Sequence, residues 1–292
     1  MAQNEAPIIL DETEQKIIDI IDAHRDQIID FAKDIYTHAE LGYKEFRTAE
    51  KFANFMKALG LPTKEHLAVT GVKAYLNEEK KDNVSLALIG ELDALRIPEH
   101  KYANPETQGA HCCGHHAQLA GVIGAAIALT NPEVKEKLDG QVVLFAVPAE
   151  EYGEIEFKNK LTDEGKIKYG SGKCELIRIG AFDDIDLDIV HHIGDKDISG
   201  GSTDVGDVQH IQPVLTFNTG GKVSGLHSVD FDIVDDELAY VVTAKIFALS
   251  AYRLLKNGAE KAKEVVENYH PIFTKDAYIQ YMDSFIAEST DL

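Results

Sequence analysis

Apolar side chains recur along the chain at two spacings, which predict helices in some segments and strands in others. Over residues 11–32 the apolar positions repeat every three to four residues, and Asp11 and Thr13 are available as N-terminal caps, so this segment is predicted to be helical. Further helices are predicted over 46–59, 117–129, 174–180, 236–255, 260–268 and 276–286. Mostly apolar runs predict strands over 69–76, 84–92, 142–147, 187–193 and 211–217.

The order of these segments indicates the fold class. Helices and strands alternate, and the strands over 84–92 and 142–147 are nearly all apolar, as expected for strands buried on both faces. We therefore predict an α/β fold, a three-layer sandwich in which helices flank a mostly parallel central sheet. No repeat, low-complexity stretch or Pro-rich linker interrupts the sequence, so residues 1–292 are predicted to form a single domain.

Composition argues against some classes of partner. The chain carries 50 acidic and 29 basic residues, and its net charge of −21 repels nucleic acid and anionic membrane surfaces. Only three cysteines are present and two are adjacent, so a disulfide framework is not expected. The N-terminal residues lack the features of a secretory signal, and no uninterrupted apolar run approaches membrane-spanning length. We predict a cytoplasmic soluble protein with neither a nucleic-acid nor a membrane partner.

The segment His111-Cys112-Cys113-Gly114-His115-His116 carries the clearest chemical signal, because five of its six residues are potential metal ligands that open onto a predicted helix. Gly114 allows a tight backbone turn, after which the side chains of Cys113 and His115 can converge on one ion. The alternative is that these cysteines are ordinary core residues and a histidine caps the helix. Five such residues packed so closely favour a metal site.

Four further segments place metal-ligand or acid–base side chains at or just beyond the ends of strands, or in a late loop. At such ends open α/β sheets build their sites. The residues concerned are Glu91 and Asp93, Glu150 and Glu151, His191 and His192, and His227. Taken singly, each has an ordinary alternative as a solvated glutamate or a packed core histidine. Together, imidazole, carboxylate and thiolate groups suit Zn²⁺, Mn²⁺, Co²⁺ or Ni²⁺ and suit Ca²⁺ poorly.

The order of these motifs resembles the aminoacylase/carboxypeptidase family of co-catalytic metallopeptidases. It is most similar to the amidohydrolase branch, which includes hippurate hydrolases, auxin-conjugate hydrolases and aminobenzoyl-glutamate hydrolases. The motifs that carry the resemblance are Asp93-Ala94-Leu95, Cys113-Gly114-His115, Pro148-Ala149-Glu150-Glu151, His191-His192, Gly201-Ser202-Thr203-Asp204 and Gly225-Leu226-His227. The resemblance implies a zinc-exopeptidase-like catalytic domain that hydrolyses the amide bond of small N-acyl amino acids or peptides. It also implies two divalent metal ions, Zn²⁺ or Mn²⁺, with Co²⁺ or Ni²⁺ as further candidates.

The same resemblance implies a role for individual residues. The implied metal ligands are Cys113 as a bridging thiolate, His115, Glu151, one of His191 and His192 with His192 favoured, and His227. Glu150 would be the general base that takes a proton from the attacking water. Asp93 would orient a ligand imidazole and fix its tautomer. Asp204 would lie nearby without an assigned chemical step.

The sequence departs from the family pattern at two places. Cys112 stands where the family usually has a small residue, and His116 stands where it has Asp or Asn, so His116 is an additional candidate ligand or hydrogen-bond donor. In addition, only the turn over 194–201 stands where family members carry an inserted lid and dimerisation domain. We therefore expect a monomer or an oligomer of another type, and activity weakened by an open site. The alternative is a lidless dinuclear metal-binding protein with little or no turnover; a purely structural or interaction module is disfavoured.

Overall fold

A computed structural model gives the structure of residues 9–194 and 203–286. The strands run over Thr63–Leu67 (β1), Gly71–Leu76 (β2), Ser85–Glu91 (β3), Leu95–Arg96 (β4), Gly109–Ala110 (β5), Gln141–Val147 (β6), Leu187–Ile193 (β7), Val214–Thr219 (β8), Lys222–Val223 (β9) and Asp232–Ile233 (β10). The α-helices run over Glu12–Ala23 (α1), Arg25–Thr37 (α2), Phe46–Ala58 (α3), His115–Leu129 (α4), Pro132–Lys135 (α5), Ile155–Asp163 (α6), Gly172–Arg178 (α7), Val205–Gln209 (α8), Val242–Leu255 (α9), Glu260–Asn268 (α10) and Lys275–Asp283 (α11). The predicted alternation of helices and strands is confirmed.

Six strands form the central sheet in the order β1-β2-β6-β3-β7-β8. The four strands β6, β3, β7 and β8 run parallel to one another, whereas β2 is antiparallel to β6 and forms an antiparallel hairpin with β1. Helices cover both faces, so the predicted α/β sandwich with a mostly parallel sheet is confirmed. Along β3, Leu86 and Leu88 face one core while Ala87 and Ile89 face the other, because successive side chains point to opposite faces.

Helix α4 is the central helix of the larger core and is buried on every side. It packs on β3 at short range because Gly90 has no side chain. A Cβ at Gly90 would lie 3.0 Å from Cδ2 of Leu119 and 3.2 Å from its Cα. On its other side α4 packs against α9, where a Cβ at Gly124 would lie 2.5 Å from Cβ of Ala244. Gly90 on β3 and Gly124 on α4 therefore let this helix lie close to the sheet on one side and to α9 on the other.

Two predicted helices differ from the structure. The segment 11–32 forms two helices, α1 and α2, with a break at His24, whose Nδ1 lies 2.8 Å from the carbonyl oxygen of Ile20. The apolar spacing continues through the break, so it predicts one helix where the chain forms two. The segment 236–255 begins with a π-helical turn over Glu237–Val241 before it continues as α9.

By length and composition, the segment Glu237–Leu255 could cross a membrane. The sequence contains no uninterrupted apolar run of that length, because polar residues interrupt this segment. In the structure more than half of it is buried, and α9 packs against α4. This is the position of a central core helix. The predicted turn over 194–201 lies, except for Gly194, outside the described residues; β7 ends before it at Ile193 and α8 begins after it at Val205.

Candidate metal centre

The carboxyl ends of the parallel strands bring the predicted site segments together. In the β3–β6 pair, Glu91 at the end of β3 stands opposite Val147, the last residue of β6. His192 lies at the corresponding end of β7, which pairs with β3 on its other side. The loops that follow β3 and β6 therefore start side by side at one edge of the sheet, where open α/β sheets place their sites.

The turn before α4 delivers Cys113 and His115 to this edge. Gly114 adopts the left-handed conformation, with φ +92°, and is the N-cap residue of α4, so His115 is the first residue of the helix. A Cβ on Gly114 would lie 2.1 Å from Cγ2 of Ile193 on β7. Glycine is therefore required both by the backbone conformation and by the close approach of β7.

The turn after β6 is held in place from two sides. Ala149 has φ +50°, and its backbone N–H donates to the buried carboxylate of Glu45 at 2.9 Å. The backbone N–H of Glu151 donates to Oδ2 of Asp93, also at 2.9 Å. Because both turn amides are held by buried carboxylates, the side chains of Glu150 and Glu151 start from fixed positions.

His115 is oriented by Asp93. Its Nδ1 lies 2.9 Å from the backbone oxygen of Asp93 and 3.2 Å from Oδ1 of the same residue, so Nδ1 carries the proton in the neutral imidazole. Its buried Nε2 makes no hydrogen bond of acceptable geometry, yet it lies 3.0 Å from Oε2 of Glu91. Burial lowers the pKa of His115, but the negative charges of Glu91 and Cys113 outweigh burial and raise this pKa well above its usual value.

Cys113, Glu151 and His227 form one group of potential ligands whose donor atoms lie within 4.8 Å of one another. Nε2 of His227 is 3.3 Å from Sγ of Cys113 and 3.3 Å from Oε1 of Glu151. The backbone N–H of His227 donates to the carbonyl of Cys112, which fixes the late loop against the turn before α4. Contact with Cys113 and Glu151 raises the pKa of His227 to about 10.

His115, Glu91 and His192 form a second such group. Nε2 of His192 lies 3.7 Å from Oε2 of Glu91, the same oxygen that faces His115. Glu150 stands between the two groups, with Oε2 3.8 Å from Nε2 of His115. Burial and the charge of Glu91 raise the pKa of Glu150 to about 8, so this carboxyl can both accept and release a proton near neutral pH.

Two histidines of the sequence motifs lie away from this centre. His191 precedes His192 on β7 and points to the opposite face, where its Nε2 is 2.7 Å from Oγ1 of Thr219. His116 is buried and stacks on Tyr36, with ring centroids 4.5 Å apart, and its ring nitrogens contact no hydrogen-bond partner among the described residues. The structure therefore brings His192, and neither His191 nor His116, to the candidate ligands.

Three residues of this centre received no specific role from the sequence: Glu91, Lys173 and Asp204. Lys173 is buried and donates from Nζ to both carboxylates. Glu91 carried a signal, because it is a charged residue at the end of an otherwise apolar strand. Lys173 carried none, because its partners are remote in sequence.

The residues at this edge suit a divalent metal ion. An imidazole nitrogen whose lone pair faces a carboxylate oxygen at 3.0 Å, in a buried place, needs a cation or a proton between them. Three imidazoles, a thiol and several carboxylates are also the donor set that first-row transition metals prefer. The fold and the site thus define a metallohydrolase-type catalytic domain of the α/β class.

Comparison with known proteins identifies the family. The family model for Peptidase family M20/M25/M40 matches residues 87–283, about two thirds of the chain, and the chain belongs to this family. The resemblance read from the motifs is confirmed. The YXEP protein of Bacillus subtilis, a dinuclear metal binding peptidase from the M20 family, shares the fold with a TM-score of 0.64. The two chains are 15% identical, and the match covers 80% of this chain and 98% of that one.

Curated relatives match part of the chain. An IAA-amino acid hydrolase ILR1-like 2 from Arabidopsis thaliana is 30% identical over 173 residues, which is 56% of this chain and 38% of the relative. A p-aminobenzoyl-glutamate hydrolase from Escherichia coli is 28% identical over 182 residues, 60% of this chain and 34% of the relative. The matches thus span little more than a third of the length of these two relatives.

Proposed function

We propose that this chain is the catalytic part of a metal-dependent amide hydrolase that acts on small N-acyl amino acids or peptides. The observation that carries the proposal is the position of Glu150. This buried carboxyl lies between one group of ligand side chains around Cys113 and another around His115. The named activities of the relatives, hydrolysis of an amino acid conjugate and of an aminobenzoyl-glutamate, support this class of substrate.

The proposed roles of the residues are as follows. Cys113, Glu151 and His227 would hold one ion and His115 and His192 the other. A bridging role for the Cys113 thiolate stays a prediction. Two divalent ions bound there would supply Lewis-acid chemistry to a water molecule and to the substrate carbonyl. Glu150 takes a proton from the attacking water and passes it to the leaving amine. Asp93 keeps the Nε2 lone pair of His115 directed into the site, since it accepts the Nδ1 proton.

A second candidate follows from how open the site is. The His227 side chain is 51% exposed, and the sequence contains only a short segment between β7 and α8 where the family carries its lid domain. An open site loses water exclusion and substrate positioning, which supports a metal-binding chain with little turnover. A monomer or an oligomer of another type, a cytoplasmic location and the absence of nucleic-acid and membrane partners all stay predictions.

Replacing Glu150 by glutamine separates these candidates, because glutamine keeps the size of the side chain and cannot carry the proton. The wild-type chain, loaded with Zn²⁺ or Mn²⁺, should hydrolyse members of an acyl-amino-acid panel, and chelation should stop it. The E150Q variant should keep its metal and lose activity by about 10²-fold or more. The control is D188N, which neutralises another buried carboxyl at the opposite end of β7. Stoichiometric metal with no turnover in the wild type would favour the second candidate, and turnover unchanged in E150Q would refute the role of Glu150.

A further inference from the structure

Lys173 is a buried cation at the candidate metal centre that the proposed mechanism leaves unused. It is the second residue of α7, and its side chain has no exposed surface. Its ammonium group donates to Oε1 of Glu91 and to Oδ1 of Asp204, and its backbone N–H donates to Oδ2 of Asp204 at 3.0 Å. Contact with these two carboxylates keeps the ammonium group in its charged form although it is buried.

The start of α7 is fixed in space, so the position of this ammonium group is fixed with it. The backbone N–H of Gly172 donates to the carbonyl of Ala149 at 3.0 Å. A Cβ on Gly172 would lie 1.6 Å from the carbonyl oxygen of Pro148. Only glycine permits this contact, which ties α7 to the turn that carries Glu150 and Glu151.

The other oxygen of Glu91 points into the metal centre. Oε2 accepts a hydrogen bond from Nε2 of Gln118 at 2.8 Å, while the backbone N–H of Glu91 donates to Oε1 of Gln118 at the same distance. This oxygen then faces Nε2 of both His115 and His192, at 3.0 and 3.7 Å. Three donor atoms therefore meet at one place, and one of them, Nε2 of His115, is directed there by Asp93.

Charge counting shows that this arrangement needs a further positive charge, which a proton on His115 or a metal ion can supply. Lys173 contributes one positive charge against the two carboxylates of Glu91 and Asp204, so the buried triad is one charge negative. A buried net negative charge is costly, and a carboxylate oxygen that faces two imidazole nitrogens is unfavourable until a proton or a metal ion lies between them. A divalent ion between Glu91, His115 and His192 would satisfy all three groups.

We propose that Lys173 is a positioning residue: it holds Glu91 so that Oε2 serves as the third protein ligand of the ion bound by His115 and His192. This proposal rests on the proposed dinuclear centre, and it adds a ligand and a residue that orients it. Lys173 acts through Glu91 rather than by contact with an ion. The opposite hypothesis is that Lys173 only neutralises buried charge.

The two hypotheses predict opposite effects of removing the ammonium group. If Lys173 acts only by its charge, K173M removes a positive charge beside the ion, and the ion should bind more tightly. If Lys173 positions Glu91, K173M should weaken the binding of the second ion. E91Q should raise the Kd of that ion at least about tenfold, since glutamine keeps the shape and loses the anionic oxygen. The double variant E91Q/K173M should bind it no more weakly than E91Q.

The experiment is a calorimetric titration of metal-free chain with Mn²⁺ and with Zn²⁺ for the wild type and these three variants. Loading with Co²⁺ tests whether the other ion is retained. The sulfur-to-cobalt charge-transfer absorption should persist in E91Q, because the ion held by Cys113, Glu151 and His227 does not use Glu91. The control is K73M. Lys73 lies on β2, and it is also buried and paired with a carboxylate, that of Asp184. K73M should lower the stability of the fold and leave both metal affinities unchanged.

Each result bears on the positioning role or on the proposed function. Two ions in the wild type with unchanged affinities in E91Q would overturn the role of Glu91 and leave the proposed function intact. Tighter binding in K173M, or a further loss in the double variant beyond that of E91Q, would overturn the role of Lys173. No ion bound by the folded wild-type chain would overturn the proposed function as well. If K173M does not fold, the comparison of E91Q with the wild type still decides the role of Glu91.

Discussion

Replacing Gly114 by alanine should destabilise the fold at the point where the metal-ligand turn meets the sheet. The residue has φ +92°, a conformation that costs a residue with a side chain about 1–3 kcal/mol. The added Cβ would also lie 2.1 Å from Cγ2 of Ile193, and overpacking of this kind costs about 1–3 kcal/mol. The expected loss in the free energy of unfolding is therefore about 2–6 kcal/mol, against about 5–15 kcal/mol for a whole domain.

A double-mutant cycle separates these two contributions. The I193A variant removes the group that the new Cβ would strike, although it opens a cavity of its own. In the I193A background, G114A keeps the backbone cost but avoids the clash with Cγ2, so its total cost should fall by about 1–3 kcal/mol relative to its cost in the wild-type chain. Urea unfolding of the four metal-free chains measures this difference. Equal costs of G114A in the two backgrounds would refute the role of Ile193 in this turn.

Three further outcomes can be measured by unfolding of purified variants. Burial raises the pKa of Asp188 to about 7, so the fold favours its protonated form and the wild-type chain loses stability as pH rises from about 4 to 7. The stability of D188N relative to the wild type should therefore rise over this range, by at most about 1.4 kcal/mol per pH unit. A stability difference that does not change with pH would contradict this. Asp11 caps α1 in a capping box with Glu14, so D11A should lose about 0.5–2 kcal/mol, and an unchanged midpoint would contradict the cap. G172A should be strongly destabilised, because its Cβ would overlap the Pro148 carbonyl; a stable variant would show that α7 can move away.

Local sequence patterns predicted the parts of the fold that local physics determines. The strand over 187–193 and the helix over 260–268 have the predicted bounds, since an apolar run and a helical spacing each end at polar residues. The break at His24 could not be predicted, because the apolar spacing runs through it. The hairpin strand β1 was missed for a different reason: its exposed and half-buried residues alternate without a strongly apolar face.

The sequence likewise predicted some features of the candidate site and could not predict others. Motif order placed Cys113 and His227 in one site although they lie 114 positions apart in sequence. The alternation of a strand says that His191 and His192 point to opposite faces, but only the packing of Thr219 and neighbouring helices decides which face holds the site. Lys173 could not be predicted because a lysine in a short helix gives no sign that it will be buried between two carboxylates.

The metal-to-protein ratio tests the central claim most directly. Wild-type chain is loaded with Zn²⁺ or Mn²⁺, freed of excess metal by desalting, and analysed for metal content beside a C113A variant prepared in the same way. The proposed centre predicts about two ions per wild-type chain and fewer in C113A, with a rise in melting temperature when metal binds. A folded wild-type chain that retains no metal would contradict the claim that these side chains form a metal centre.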